Sequence, residues 1–503
     1  MTVSDLTHSS IDPVSPKINW ARIDEADNFA ETVKLYRQGK YDEASFRRFR
    51  LQHGAYGTRM TSDYAMVRVK LPAGEIYPKQ FEKLSQLSEQ YSIGSAHFST
   101  RENIQLHWVI LEDVSEIFRS LAEVGLTSRE ACGNSVRNVM CSPLSGVCCD
   151  EKFDSTPYAL ATAKFFLRNP MAQSLPRKFK FNFTCCEKHG MVRMVDVGLI
   201  PEIQQIDGSE QKGFKIFLGG GLGNKSFVGH QLEDFTPEED LLYTSIAVMR
   251  IFDRLGDRKN LARNRMRYLV NDMGWEKFQN LVLKERAIVR ATQSVVTRLK
   301  VDTTPNKIKR PLKISDETGG SAPDGYARWL KTNTIKQKQS DYRSVFITLE
   351  AGDITSNQLN ALADIIREFS SEGMARTGFV QNVALRYVHE DDLISLYSKL
   401  IQSGLAKSGA LTMTTPIGCS GTTSCNLALT NSHRLAKEIQ RKFLELHLDE
   451  DEDLTDSSIK ISGCPNSCGQ HGIATIGFFG GGGRLGKDMY ANYQMSLGGR
   501  FDG

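Results

Sequence analysis

An internal repeat constrains the fold of this chain more than any other feature of its sequence. A strand, helix and strand pattern over residues 65–109 returns over residues 344–387, where the turn KLPAGEI is matched by TLEAGDI and RENIQLHW by VQNVALRY. Apolar residues recur at helical spacing in both copies, at Phe81, Leu84, Leu87 and Tyr91 and at Leu359, Leu362, Ile365 and Ile366. The repeat predicts two equivalent β-α-β units.

A second pair of segments extends the repeat to most of the chain. Residues 176–185 correspond to residues 459–464, and residues 213–220 correspond to residues 492–499. We therefore predict two copies of one module in a pseudo-two-fold body, with a large ligand in the cleft between the halves.

The segments outside the repeat are polar or charged. Residues 1–60 lack an apolar core of their own and predict an arm with short helices near 26–37 and 41–51. Residues 234–291 predict charged helices that form a solvated amphipathic surface. The Lys-, Thr-, Pro- and Gly-rich stretch near 300–340 predicts a linker between the two copies.

Four of the ten cysteines form two closely spaced pairs near the end of the chain, Cys419-x5-Cys425 and Cys464-x3-Cys468. Paired thiolates are the ligands that iron–sulfur clusters and zinc ions require. A predicted helix over residues 432–446 separates the pairs, whereas structural zinc usually takes closer pairs in small domains. The spacing favours a cluster, with zinc or four buried structural cysteines as alternatives.

Basic side chains recur among apolar residues in the first half, at Arg68, Arg101, Arg137, Lys178 and Lys180. Each taken singly could be an ordinary surface charge. Together they fit an anion site inside a cleft, because arginine matches carboxylates and lysine offers a compact, protonated amine.

Composition excludes several classes of function. The net charge is +4 over 503 residues, which gives no bulk argument for nucleic-acid binding. No apolar stretch approaches the roughly 20 residues of a membrane helix, and the N-terminus lacks the apolar segment of a secretory signal. Cysteines at metal-type spacing indicate a reducing compartment, so we expect a cytoplasmic protein that binds neither membrane nor nucleic acid.

These motifs resemble the sirohaem-containing sulfite and nitrite reductase family. The resemblance rests on GCSGTTSC, ISGCPNSCGQ, MVRVKLPAG, VRNVMCSP, LPRKFK and HFSTRENIQLHW. It implies an α+β fold in which duplicated ferredoxin-like half-domains pair, and two larger α/β units flank a sirohaem. It further implies that Cys419, Cys425, Cys464 and Cys468 hold a [4Fe–4S] cluster and that Cys468 also bridges to the sirohaem iron.

The resemblance assigns roles to the basic residues as well. Arg68, Arg137, Lys178 and Lys180 would face the substrate as the catalytic set. The sirohaem would be bound by Arg101 together with Ser99, Thr100, Asn103, Cys468 and the glycine loop, including Gly220 and Gly221. Tyr56 and Cys132 lie near places where some family members carry a Tyr–Cys thioether, and the sequence leaves open whether they are linked.

The predicted domain boundaries follow from the repeat and the resemblance. They are a wrapping arm (1–60), a first ferredoxin-like half-domain (61–134), a first sirohaem and substrate domain (135–300), a linker (301–340), a second half-domain (341–405) and a second sirohaem and cluster domain (406–503). Family members usually continue beyond this point, so either the gene is short or the sequence is truncated.

The resemblance implies a six-electron reduction of sulfite to sulfide. Reduction of nitrite to ammonia is the alternative, and a non-catalytic iron–sulfur electron-transfer or sensor protein is the alternative of another class. Lys180 favours sulfite, because nitrite reductases of the plant type tend to carry asparagine there. No nucleotide-binding fingerprint is present, so electrons would come from a ferredoxin or a flavoprotein. We expect a monomer or weak oligomer.

Overall fold

The computed structural model describes residues 16–59, 61, 63–292, 299–311, 322–410, 412–448, 451–454 and 457–500. The predicted arm therefore extends before the described residues, and part of the predicted linker lies outside them.

The described helices agree with the α+β prediction. They are α1 Asp24–Arg37, α2 Glu43–Gln52, α3 Pro78–Tyr91, α4 Val114–Glu123, α5 Thr156–Phe166, α6 Leu241–Leu255, α7 Met266–Met273, α8 Trp275–Thr292, α9 Tyr326–Asn333, α10 Ser356–Phe369, α11 Leu393–Gln402 and α12 Ser432–Glu445.

The strands fall into two halves of similar content. Those of the first half are β1 Ala55–Gly57, β2 Tyr64–Lys70, β3 Glu75–Ile76, β4 Ser95–Phe98, β5 Asn103–Ile110, β6 Met140–Cys141, β7 Phe181–Phe183, β8 Val197–Ile206, β9 Ser209–Leu218, β10 His230–Gln231 and β11 Thr236–Pro237. Those of the second half are β12 Thr334–Lys336, β13 Tyr342–Thr348, β14 Asp353–Thr355, β15 Ala375–Thr377, β16 Asn382–His389, β17 Ile417–Gly418, β18 Ile459–Ser462, β19 Ile476–Leu485 and β20 Asp488–Leu497.

The two β-α-β units pair by exchanging a strand. One antiparallel sheet has the order β1-β2-β5-β4-β14 and the other β12-β13-β16-β15-β3, so each ends in a short strand from the opposite copy. The apolar faces of α3 and α10 pack into one shared core, in which Phe81, Leu84, Leu359 and Leu362 are fully buried. Neither unit would bury this face alone, and the exchange ties the halves into one body.

The two units also share unusual backbone conformations. Ala73 and Ala351 have φ of 55° and 50°, and Glu102 and Gln381 have φ of 53° and 61°. Residues with side chains adopt this left-handed region rarely. Its recurrence at equivalent turns supports the prediction of a duplicated module.

The larger units repeat a second topology. In the first, β6, β7 and β8 are parallel and β9 returns antiparallel to β8. In the second, β17, β18 and β19 are parallel and β20 returns antiparallel to β19. The loops after the first two strands of each unit therefore lie side by side at one sheet edge.

Two expectations outside the repeat need correction. The helices of residues 234–291 are a solvated surface only in part: α8 is amphipathic with an exposed face, but α6 buries most of its residues against the core of the first larger unit, including Ile246, Met249 and Phe252. The C-terminal part of the predicted linker is folded, because α9 buries Trp329 completely and β12 pairs with β13. Charged residues flank both segments, so composition alone does not indicate that they pack against the rest of the protein.

Among the described residues, no helix combines the length and apolar content needed to cross a bilayer.

Candidate functional site

The four paired cysteines lie on loops that follow parallel strands. Cys419 comes directly after β17, and Cys464 follows β18 by two residues. The adjacency of β17 and β18 brings the loops together, and the Gly463 amide donates to Cys419 Sγ at 3.2 Å. The Leu427 amide donates to Cys425 Sγ at 3.4 Å and Asn466 Nδ2 to Cys464 Sγ at 3.4 Å. Such donors stabilise thiolate charge, as cluster ligands require.

The chemistry of this donor set fits a cluster better than a single ion. The four thiols are free, and burial raises the pKa of Cys419 and of Cys464. Among the described residues, the groups whose ligand atoms all lie within 4.8 Å of one another do not include these four cysteines. A cluster of several iron atoms holds its thiolates further apart than one ion does, so the loops fit the [4Fe–4S] ligand set.

Residues of the first half of the chain directly contact the loops that carry the paired cysteines, which we call the cluster loops. Thr100 Oγ1 donates to the carbonyl of Cys468 at 2.8 Å, and Gln470 Nε2 donates to the carbonyl of Thr100 at 3.3 Å. Arg59 Nη1 donates to the carbonyl of Ala428 at 2.6 Å. Thr100, predicted to contact sirohaem, therefore uses its hydroxyl proton to hold the loop of Cys468.

Arg68 lies on β2, and Arg137 lies on the loop that precedes β6. The Arg68 guanidinium stacks over the Tyr56 ring at 5.2 Å, and its surroundings include Cys132, Cys425 and Cys468, which raise its pKa against the opposing effect of burial. Arg137 is fixed by the carbonyls of its own loop, with Nη1 donating to Ala131 at 2.8 Å and Nε to Gly133 at 2.9 Å. Its Nη2 donates to Tyr56 Oη at 3.4 Å.

Tyr56 and Cys132 are neighbours: burial raises the pKa of the Cys132 thiol, and Arg68, Arg137 and the Tyr56 hydroxyl partly oppose that shift. Cys132 is a buried free thiol in the structure.

Lys178 and Lys180 are half-buried beside other cations. The pKa of Lys178 is lowered to about 7, first by burial and then by Arg265, Arg137 and Arg177, while Cys468 opposes the shift. Burial also lowers the pKa of Lys180 well below its usual value, reinforced by Arg101, Arg265 and Lys178. Neither ammonium forms an ion pair within the described part of the chain. An anion binding here would raise both pKa values and take up protons.

Arg101 and Ser99 lie in the turn between β4 and β5, and Asn103 is the first residue of β5. Arg101 Nη2 donates to the carbonyl of Asn138 at 2.9 Å, and Ser99 Oγ accepts from the Arg101 amide at 3.2 Å. Burial lowers the pKa of Arg101 to about 10, and the neighbouring Glu102 and Asp196 partly offset this.

The glycine loop differs in detail from the expectation. The amide of Gly221 donates to the carbonyl of Phe227 at 2.9 Å, so it is not available to a carboxylate as the sequence interpretation supposed. A side chain at Gly220 would collide with the carbonyl of Arg193, at 2.1 Å from an added Cβ. The loop lacks side chains because protein neighbours pack directly against it.

Two arginines that the sequence interpretation missed line this loop, Arg265 and Arg267. An added Cβ on Gly221 would meet Arg267 Nη1 at 3.2 Å and Arg265 Nη2 at 3.6 Å. Arg265 Nη2 donates to Asp196 at 2.9 Å, and the same carboxylate accepts from the Lys180 amide at 3.0 Å. The alternation RNRMR at the start of α7 is the only sequence signal for them, and charged helices around it obscured that signal.

Several buried donors of this basic set have no hydrogen-bond partner among the described residues. They are Arg68 Nε, Arg101 Nη1, Arg265 Nε, Arg267 Nε and Arg267 Nη1. Buried donors ordinarily find acceptors, so their number here indicates a ligand rich in anionic oxygens. A macrocycle with many peripheral carboxylates, as in sirohaem, meets this requirement.

Comparisons with known proteins agree with this geometry. The family model described as "Nitrite and sulphite reductase 4Fe-4S domain" matches residues 132–289, and "Nitrite/Sulfite reductase ferredoxin-like half domain" matches residues 57–124 and 335–403. The four paired cysteines lie beyond these ranges, in the second copy of the module. The half-domain matches coincide with the two strand-exchanged units.

Curated relatives cover most of the chain. "Sulfite reductase [ferredoxin] 1" of Mycolicibacterium paratuberculosis is 27% identical over 429 residues, which are 84% of this chain and 71% of that protein. "Assimilatory ferredoxin-dependent nitrite reductase" of Haloferax mediterranei is 28% identical over 495 residues, which are 95% of this chain and 80% of that protein.

A solved structure supports the same fold. The structure of the Mycobacterium tuberculosis NirA protein covers 95% of this chain with a TM-score of 0.76 at 23% identity, over 87% of its own chain. The chain thus belongs to the nitrite and sulfite reductase family, as an oxidoreductase whose cofactors are sirohaem and a [4Fe–4S] cluster.

Proposed function

We propose that this chain reduces sulfite to sulfide in a six-electron reaction, with electrons from ferredoxin. The observation that carries the proposal is the convergence of unpaired cations on the cluster loops. Arg68 and Lys178 both interact electrostatically with Cys468, and Lys180 lies beside Lys178 and Arg101. A non-catalytic electron carrier would have no use for a buried cation cluster at the end of its electron path.

The bound cofactors supply electron transfer and an iron atom at which the substrate binds. Cys468, with Cys419, Cys425 and Cys464, would hold the cluster and link it to the sirohaem. Arg101, Arg265 and Arg267 would bind sirohaem carboxylates, with Ser99 and Asn103 beside Arg101 and with the Gly220–Gly221 turn leaving room for Arg265 and Arg267. Their unpartnered buried donors support this assignment.

The four remaining cations would handle the substrate. Arg137 is fixed by backbone carbonyls, so its guanidinium presents charge without reorganisation, and Arg68 is held by stacking on Tyr56. Lys178 and Lys180 have lowered pKa values, which suit groups that release protons near neutral pH as sulfur–oxygen bonds break.

Nitrite reduction to ammonia is the second candidate, and the named relatives favour it as much as they favour sulfite. Our preference for sulfite rests on the two neighbouring lysines, because a dianion gains more than a monoanion from an added cation. We further propose a cytoplasmic monomer or weak oligomer as the working form.

Visible spectroscopy of the purified protein tests the proposal. Sirohaem bands should appear and shift when sulfite is added to the dithionite-reduced protein, and sulfide should form with reduced ferredoxin. Formation of ammonia from nitrite with negligible sulfide formation would overturn the choice of substrate. Cluster absorption without sirohaem in fully loaded protein would overturn catalysis altogether.

A further inference from the structure

The first larger unit contains a compact group of sulfur and nitrogen ligands that shares no residue with the basic site. Cys148, Cys185, Cys186 and His189 place one ligand atom each within 4.8 Å of the others. The three cysteines are 6%, 1% and 8% exposed, and all are free thiols. Sequence alone indicates that Cys148, Cys185 and Cys186 are ordinary small apolar residues, with metal binding by the adjacent cysteine pairs as the alternative. Their convergence depends on the pairing of distant loops.

The distances match tetrahedral coordination of one ion. Cys148 Sγ and Cys185 Sγ lie 3.9 Å and 4.0 Å from Cys186 Sγ. His189 Nδ1 lies 3.7 Å, 3.6 Å and 3.1 Å from the sulfurs of Cys148, Cys185 and Cys186. Zinc bonds of about 2.3 Å to sulfur and about 2.0–2.1 Å to nitrogen imply tetrahedral edges of about 3.8 Å between sulfurs and about 3.6 Å between sulfur and nitrogen.

The strand registers show where this group lies in the duplicated module. Asn182 pairs with Met140 and with Gly198 as Lys460 pairs with Ile417 and with Gly477. Counting forward from these strands, Ser142, Cys148 and Cys186 occupy the positions of the cluster ligands Cys419, Cys425 and Cys464. Alignment of the two sequence segments without the strand register places Cys185, one residue before Cys186, opposite Cys464.

The position equivalent to Cys468 is found by counting back from the strand that follows the loop in each copy. An added Cβ on Gly198 would meet the carbonyl of Val192 at 1.9 Å, and one on Gly477 would meet the carbonyl of His471 at 2.2 Å, so these two carbonyls are equivalent. Counting back three residues from each places His189 at the position of Cys468. The first copy therefore holds ligand residues at three of the four equivalent cluster positions.

Cys185 supplies the fourth ligand in place of the equivalent Ser142. Its thiol donates to Ser142 Oγ at 3.5 Å, so its sulfur lies beside the side chain at the equivalent position. The conformation of the loop depends on Gly190, whose φ is +148° and where an added Cβ would meet Thr184 Oγ1 at 2.8 Å. The loop is thus shaped for this arrangement.

We propose that Cys148, Cys185, Cys186 and His189 bind one structural zinc ion, at the pseudo-symmetric counterpart of the iron–sulfur cluster. Three thiolates and one imidazole fill all four positions of a closed tetrahedral site, which leaves none for substrate. The short separations suit a single ion, whereas the second copy spreads its ligands for a cluster. Phe346 and Ala384 of the second half-domain pack against the group, so the ion would fix this interface.

Metal analysis of the holoenzyme tests the proposal independently of its activity. Protein from zinc-replete cells, washed with a weak chelator, should retain one zinc per chain beside the iron of its cofactors. X-ray absorption at the zinc edge should show three sulfur neighbours at about 2.3 Å and one nitrogen at about 2.0–2.1 Å. Zinc well below one per chain, iron at this site, or a disulfide between these cysteines would overturn the proposal.

Variants separate a specific site from general damage. Cys186→Ser should lower bound zinc by more than about tenfold, whereas Cys149→Ser, at an exposed neighbouring cysteine, should leave it unchanged. His189→Cys should keep the ion and change the scattering from three sulfurs to four, a readout that loss of fold cannot produce. Wild-type zinc content in Cys186→Ser, or unchanged scattering in His189→Cys, would refute the assignment.

Discussion

Replacement of Lys180 by asparagine tests the choice between sulfite and nitrite. The Lys180 ammonium is surrounded by Arg101, Arg265 and Lys178, so an incoming anion is its natural partner. Asparagine removes the charge and keeps a hydrogen-bond donor, although on a shorter side chain. Because sulfite carries two negative charges and nitrite one, the substitution should weaken sulfite reduction more than nitrite reduction.

The size of the difference follows from the charges. Two unit charges about 4 Å apart at an effective dielectric constant of about 20 interact with about 4 kcal/mol. The second charge of sulfite adds one such interaction, and screening by the remaining cations reduces it to about 2–4 kcal/mol. The ratio of kcat/KM for sulfite over nitrite should therefore fall by about 30- to 900-fold.

Steady-state assays with both anions and reduced ferredoxin measure this ratio near neutral pH, before the amine of Lys178 loses its proton at higher pH. Lys164→Asn serves as the control, because Lys164 is an exposed residue in the last turn of α5. Sirohaem and cluster absorption should be unchanged in both variants. Equal losses for the two anions in Lys180→Asn would refute the electrostatic reasoning and remove the preference for sulfite.

Three further predictions address the cofactor, the pH dependence and the stability. Cys425→Ser should abolish the cluster and disturb the sirohaem spectrum; an intact spectrum would contradict the cysteine assignment. Because the pKa of Lys178 is lowered to about 7, sulfite binding should weaken as pH rises through that value and the amine loses its proton. Lys178→Arg should shift this alkaline loss of binding to higher pH. An unchanged pH profile in this variant would exclude a role of Lys178 in binding sulfite. Glu372→Gln should lower the free energy of unfolding by about 3–5 kcal/mol in chemical denaturation, because it leaves the buried Arg386 without its ion-pair partner. The control Glu438→Gln, on the exposed face of α12, should lower it by about 0–1 kcal/mol. Equal effects of the two substitutions would refute the prediction that the buried ion pair matters more.

The prediction of an α+β fold with duplicated half-domains is confirmed, and periodicity explains why. The apolar spacing at Phe81, Leu84 and Leu87 is local, and α3 forms where this spacing predicts a helix. The exchange of β3 and β14 was beyond reach, because each strand is only two or three residues long and pairs with the other copy. The domain boundaries and the roles of the individual site residues remain predictions.

Some features of the site depend on residues that are close in sequence, and others depend on contacts between distant segments. Cys464 and Cys468 are close in sequence, as are Cys419 and Cys425, so their spacing could indicate a cluster. The adjacency of β17 and β18 then brings the two pairs together. Arg265 could not be assigned from the sequence, because the carboxylate that orients it belongs to Asp196, 69 residues away. Its burial beside Lys180 depends on how α7 packs against the first larger unit.

The sequence by itself determined the duplicated module, the four paired cysteines and the basic residues of the strands and turns, since each is a pattern within a short stretch. Only the tertiary structure decided which distant groups share a site, because pairing of β6 with β7 places Cys148 beside Cys186 and His189 across a separation of 38 and 41 residues. Contacts between loops depend on strand register, and a shift of one residue would point each ligand elsewhere.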